Sequence, residues 1–312
     1  MSRSKILFTI SIILLLFVMA LAVFFGSSTS LDWTQAFEIR GPRALLALGV
    51  GAGLAVSGAT LQALFANPLC DPYTLGVSSG AALGSVIAAG LGLSSIGVLG
   101  SSGGGALLFS IILYFFASKK LDSRGILVFG VMLGFLGQGL VTLWLSFQDP
   151  GMAQRVLGWL FGDLSRADWS SGWICLTAAL GITLMIFRSH RGLDALLMGD
   201  SDASAMGVDV RKLRSTHLLL SALLVSVCVS FAGMIGFLGF LIPHFVRNRV
   251  GALHSKVIPF SFIFGGIVLV AADLLARVSV RPYELPVGAL TALLGGPFFV
   301  LAVIRPRRKG RS

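Results

Sequence analysis

"THLLLSALLVSVCVSFAGMIGFLGFLIPHFV", Thr216 to Val246, contains no Asp, Glu, Lys or Arg. About 20 apolar residues cross a bilayer as one helix, so this stretch is too long for one crossing. Whether it crosses once or twice sets the orientation of everything after it. Gly233, Gly236 and Gly239 mark the place where it could fold back. Further apolar segments lie near 6–25, 42–66, 73–92, 104–118, 125–147, 170–187, 257–276 and 284–304.

Charge decides between the two readings. Cytoplasmic loops carry an excess of Lys and Arg. With a fold-back, the chain crosses ten times and both termini are cytoplasmic. Only Arg40, Arg43, Arg155, Arg166, Arg277 and Arg281 then lie outside, leaving eighteen of the 24 Lys and Arg inside. A single crossing would move Arg247, Arg249, Lys256 and the five basic residues from Arg305 to Arg311 to the wrong side. The expectation is an all-α, polytopic membrane protein of about ten transmembrane helices, forming one domain over 1–312, with a cytoplasmic segment at 190–214.

Composition agrees. The chain has 312 residues, 55% of them hydrophobic and 12% charged, where a soluble domain carries about 25% charged. Mean hydropathy is +0.91. Ile6 to Phe25 follows Arg3 and Lys5 with no A-x-A cleavage site after it, and is read as a retained helix. The net charge of +11 is dispersed at helix ends rather than gathered on one face, which argues against nucleic acid as a partner. Cys70, Cys175 and Cys228 are far apart and show no C-x-x-C spacing, so no metal site or disulfide is expected. Glycines four apart, such as Gly76/Gly80/Gly84 and Gly130/Gly134, suit close helix packing in lipid.

Four places break the apolar pattern. "LQALFANPLCDPYTLGVSSG" (Leu61 to Gly80) crowds Asn67-Pro68 and Asp71-Pro72 into the inner end of the second crossing. Prolines end helices, and irregular backbone at membrane depth survives only against protein or a water-filled path. "HRGLDALLMGDSDASAMGVDVRKLR" (His190 to Arg214) reads as short amphipathic helices broken at Gly199 and Gly207, with Leu193, Leu196, Leu197, Ala203 and Met206 on apolar faces. Such a segment suits a docking partner better than a solvated loop does. His244, after Pro243, is an ionisable candidate placed near a helix end. Outside, Arg40 and Arg43 have only Glu38 as an acid nearby in sequence, while Asp273 and Arg277 stand one turn apart.

Absences narrow the class. The chain has no G-x-x-x-x-G-K-[ST] and no H-E-x-x-H. Gly76 to Gly80 matches G-x-S-x-G, which would make an intramembrane serine hydrolase only if Ser78 or Ser79 sat on a strand-to-helix turn and met His217 or His244. An ion-coupled transporter would keep an ionisable residue near the bilayer midplane, whereas the acids here fall near expected helix ends.

The blocks "RGPRALLALGVGAGLAVSGATLQALFANPLCDPYTLGVSSGAALG", "GWLFGDLSRADW", "LLMGDSDASAMGVDV", "GMIGFLGFLIPHFVRNRVG" and "AADLLARVSVRPYELPVGALTALLGGPFF" occur in this order from about Arg40 to Pro306. Together they resemble the FecCD family of ABC-transporter permeases, importers of ferric siderophores, cobalamin or haem. The resemblance implies ten helices per subunit, two permease copies (a homodimer), two cytoplasmic ABC ATPases, an extracytoplasmic substrate-binding protein and a place in the bacterial inner membrane. It implies no catalytic residue and no cofactor on this chain, with ATP hydrolysed by a separate subunit. By resemblance, Arg40, Arg43 and Arg277 receive binding-protein glutamates. Asn67 and Leu69 form a cytoplasmic gate. Asp122 and Ser123 form a second gate, although "KKLDSRGIL" departs from the small hydroxyl residues of some members. Gly199, Asp200, Ala203, Gly207 and Val208 couple to the ATPases.

Overall fold

The computed structural model describes residues 3–26, 32–117, 123–281 and 283–304. In chain order its helices are α1 (Arg3–Phe24), α2 (Trp33–Leu64), α3 (Val77–Gly90), α4 (Ser95–Ala117), α5 (Ser123–Ser146), α6 (Pro150–Leu160), α7 (Trp169–Arg188), α8 (His190–Leu196), α9 (Asp200–Ala205), α10 (Val210–Ala232), α11 (Leu238–Val250), α12 (His254–Val278) and α13 (Val287–Ile304). Among the described residues there is no strand, only an isolated bridge between Val280 and Tyr283.

Among the described residues seven helices are long and apolar enough to cross a membrane: α1, α2, α4, α5, α7, α10 and α12. The other three expected crossings fall on α3, of 14 residues, α11, of 13, and α13, of 18, and the first two are shorter than a usual span. The uncharged stretch does divide in two. α10 ends at Ala232, Gly233 turns the chain with φ of 69°, and Phe237, also at 69°, begins α11. Gly233 takes this conformation without the steric cost that a side chain brings.

Several boundaries differ from the sequence expectation. α2 begins at Trp33 rather than 42 and runs through Pro42. An internal proline costs about 3 kcal/mol, and here tertiary contacts offset it: Phe24, Trp33, Phe37 and Trp169 form a chain of ring contacts with centroids 4.9 to 6.3 Å apart along its first turns. α4 starts at Ser95, well before 104, and α3 starts at Val77, after the prolines. α6 is a helix that the apolar pattern did not announce.

α2 is the central post. Of its most apolar window 89% is buried, against 11% for α1, which lies at the periphery. Between helices in lipid, close backbone packing replaces the hydrophobic drive available in water. A Cβ on Gly58 would fall 2.0 Å from the Gly239 carbonyl oxygen, so only glycine lets α2 meet α11 there. Gly84 meets α4 equally closely, its Cβ position 2.0 Å from the Ser101 oxygen.

Candidate functional site

At one end of the bundle, polar side chains from α2, α12 and the turn before α13 converge on the last carbonyls of α1. Arg43 Nε and Nη2 each lie 2.8 Å from Asp273 Oδ1, and its Nη1 donates to Glu284 Oε2 at 2.6 Å. Arg277 Nε stands 3.1 Å from Asp273 Oδ2, the (i, i+4) pair expected from the sequence. Its Nη2 donates to the Ala22 carbonyl at 3.0 Å, while Arg40 donates to the Phe24 carbonyl at 2.9 Å. These are the last carbonyls of α1, which carry the negative end of the helix dipole and welcome a cation. Gly26 makes room, since a Cβ there would lie 2.4 Å from Arg40 Nε. The reading that Arg40 and Arg43 have only Glu38 nearby is corrected for Arg43, whose acids stand 230 and 241 residues further along the chain. All three arginines are buried within the chain.

Nearby, Asp168 caps α7 with a capping box, accepting from the Ser171 amide at 2.8 Å. The Ser170 hydroxyl, 2.6 Å from Oδ2, and the Ser171 donors hold its carboxyl down to about 2.

The opposite end holds the passage after α2. Ala66 adopts φ of 45°, and Asn67 Oδ1 accepts from the Leu69 amide at 3.0 Å, an Asx turn that closes the loop on itself. Asn67 and Leu69 are half-buried, Ala66 and Pro68 exposed. Behind this tip Asp71 is buried. It accepts from the Tyr73 amide at 2.7 Å and from the backbone of Phe240 in the first turn of α11. The passage is therefore anchored to α11 at its base and open to solvent at its tip. Gln62 strengthens the base: its Nε2 donates to the Gly239 carbonyl at 3.1 Å, and Arg247 donates to its Oε1. His244, expected near a helix end, sits in the middle of α11, stacked on Phe240 at 6.3 Å.

Segment 190–214 forms α8, α9 and the first turn of α10. Gly199 and Gly207 separate them with φ of 114° and 83°, both in the region that favours glycine. The expected apolar face splits. Leu193, Leu196 and Ala203 are buried against the bundle, whereas Leu197, Met198 and Met206 are exposed. The Ala203 carbonyl accepts from the Val208 amide at 3.1 Å, which closes α9.

Two links tie this segment to the bundle, and neither was legible in the sequence. Arg214 donates to both carboxylate oxygens of Asp200, at 2.7 and 2.8 Å, and through Nε to the Leu64 carbonyl, the last residue of α2, at 3.1 Å. One guanidinium thus joins the start of α9 to the point where α2 gives way to the Asn67 passage. Asp194 of α8 accepts from the His254 amide and Nδ1 at 2.8 and 2.6 Å, fixing α8 to the start of α12. Ser123 opens α5, and Asp122 lies outside the described residues.

The hydrolase reading fails. Ser78 and Ser79 are buried in the first turn of α3, which follows a left-handed Gly76 and no strand. His217 is engaged by Ser189 at 2.8 Å and by the Leu213 carbonyl. Among the described residues no group of three His, Cys, Asp or Glu could hold a metal.

Comparison with known proteins gives a consistent picture. The model of the FecCD transport family matches residues 6–305. The hemin transport system permease protein HmuU of Yersinia pestis is 37% identical over 290 residues, covering 91% of this chain and 87% of that protein. The vitamin B12 import system permease protein BtuC of Vibrio cholerae is 35% identical over 288 residues, covering 90% and 86%. A solved structure described as an inward-facing conformation of a metal-chelate type ABC transporter superposes with a TM-score of 0.88 at 31% identity, covering 97% of this chain and all of that one. PsaBC from Streptococcus pneumoniae, solved with a Fab, shares the fold with a TM-score of 0.60 at 19% identity, over 87% of this chain and 93% of its own.

Proposed function

We propose, from the premise that this chain belongs to the FecCD transport family of ABC-transporter permeases, that it is the membrane-spanning subunit of an importer for an iron chelate (a ferric siderophore) or cobalamin. Haem is the alternative cargo, favoured by the likeness to a hemin permease. Two copies form a homodimer around a central path in the bacterial cytoplasmic membrane. Each crosses ten times as a single domain with both termini cytoplasmic, the short α3 and α11 included. Two ABC ATPases dock inside and a substrate-binding protein docks outside. This chain supplies no ATPase chemistry of its own.

The observation that carries the mechanism is the Arg214 link between Asp200 and the end of α2. ATP binding draws the two ATPases together beneath segment 190–214, where the exposed Leu197, Met198 and Met206 offer apolar contact. Gly199 and Gly207 let α9 tilt with Asp200, Ala203 and Val208. Arg214 passes that tilt to α2, and the Asn67–Leu69 tip, joined by Asp122 and Ser123, opens or shuts the path. Access alternates between two states a few kcal/mol apart, biased by nucleotide and by the loaded binding protein.

On the outer side, Arg40, Arg43 and Arg277 serve docking, and Arg43 exchanges its more exposed partner while Asp273 keeps its hold. Glu284, the more exposed acid of the cluster, gives way to a carboxylate of the binding protein. The test is reconstitution with the cognate ATPase and binding protein. Arg214→Ala should keep ATP hydrolysis and lower import at least tenfold; unchanged import per ATP would overturn the mechanism. The ligand that the purified binding protein retains identifies the cargo.

A further inference from the structure

We propose that the crevice between α1, α11 and α12 is a binding site for one anionic phospholipid. Two hollows adjoin there. The first, about 310 Å³, is walled by Leu7, Leu14, Phe245, Phe260 and Phe264, with Arg249 at its edge. Its other polar wall, Ser11, has its hydroxyl committed to the Leu7 carbonyl at 2.8 Å. The second, about 660 Å³ and wider, is lined by Lys5, Thr9, Ser255, Lys256 and Pro259. Phe260 lines both, and Phe8 meets it edge-on at 5.5 Å. An apolar slot thus opens beside a basic hollow.

Among the described residues no carboxylate lies within ion-pair distance of Lys5, Lys256 or Arg249. Arg249 instead lies over the Phe245 ring at 4.9 Å, which holds it at the slot without neutralising it. Two lysines facing one hollow repel each other until an anion joins them. The slot needs a hydrocarbon chain and the hollow needs a phosphate, and both belong to one molecule. A free phosphate leaves the slot empty. A zwitterionic lipid brings its own ammonium to a site that already has three cations. Basic hollows between transmembrane helices are where anionic head groups bind. The proposal rests on this chain's residence in a bilayer and not on its cargo, so it stands or falls separately from the import reading.

The experiment is native mass spectrometry of the full-length chain in neutral detergent, titrated with phosphatidylglycerol or phosphatidylcholine of identical acyl chains. Phosphatidylglycerol should bind more tightly, and added salt should erode the difference. Each of Lys5→Gln, Arg249→Gln and Lys256→Gln should weaken phosphatidylglycerol about fivefold, from about 1 kcal/mol per basic residue near a head group. Arg211→Gln with Lys212→Gln, also exposed and basic, should leave it unchanged. Equal binding of the two lipids, or an equal loss in the Arg211/Lys212 control, would overturn the proposal. The wild-type comparison of lipids and salt decides the matter even if a variant fails to fold.

Discussion

The two ends of this bundle are built from the same residue types to opposite effect. At the α1–α2 end, Arg43 and Arg277 share Asp273, a carboxylate 1% exposed; Arg43 also donates to Glu284, and Arg277 and Arg40 donate to the last carbonyls of α1. At the other end Arg214 also pairs with a carboxylate, but Asp200 is 55% exposed and stands beside a glycine hinge. A buried charge cluster resists change because removing one member strands the others in a low dielectric. An exposed pair can break and re-form at little cost. The contrast teaches that the first end holds four elements together, while the second is closed by a pair that can break and re-form, as the proposed coupling requires.

The largest expected effect is at the buried end. Asp273→Ala should cost about 3–5 kcal/mol, because Arg277 loses its carboxylate and Arg43 keeps only Glu284. A large fall in melting temperature in detergent would show it; a fall within the scatter of surface variants would erase the contrast. Asp168→Ala should cost about 1 kcal/mol as a lost helix cap. Its folded carboxyl titrates at about 2, below the ordinary value of about 3.9. The cap therefore contributes fully above the ordinary value and is lost as pH falls toward 2. Protection of the Ser171 amide against hydrogen exchange, taken relative to its intrinsic rate at each pH, should fall across that window and stay constant above it.

Much of this architecture can be read from residues close together in sequence. The break after Ala232 follows from charge balance and Gly233, and the end of α2 from the two prolines that follow it. The Asp273–Arg277 pair needs only helical periodicity. The bonds from Arg43 to Asp273 and Glu284, and from Arg214 to Leu64, join residues 150 to 241 positions apart. No local pattern encodes such pairings; they exist only once α2 is packed at the centre. The apolar pattern starts α2 only near 42, after Glu38 and Arg40, whereas the tertiary ring contacts of Trp33, Phe37 and Trp169 support the turns before it.

The smallest effect on stability is expected where the effect on function is greatest. Asp200→Ala should change stability by less than about 1 kcal/mol, as exposed pairs do. It should still lower import per ATP hydrolysed about as far as Arg214→Ala does. If Asp200→Ala destabilised the chain as strongly as Asp273→Ala, the second end would be as rigid as the first.

The most direct test of the account labels the tip of the passage. The native Cys70, Cys175 and Cys228 are fully buried, so cysteines introduced as Asn67→Cys and Leu69→Cys should report against a quiet background in the assembled transporter. Reaction rates with a water-soluble thiol reagent should change with nucleotide, and that change should vanish when Arg214→Ala is added. A tip that never reacts in any nucleotide state, or one that keeps its nucleotide dependence without Arg214, would contradict the account.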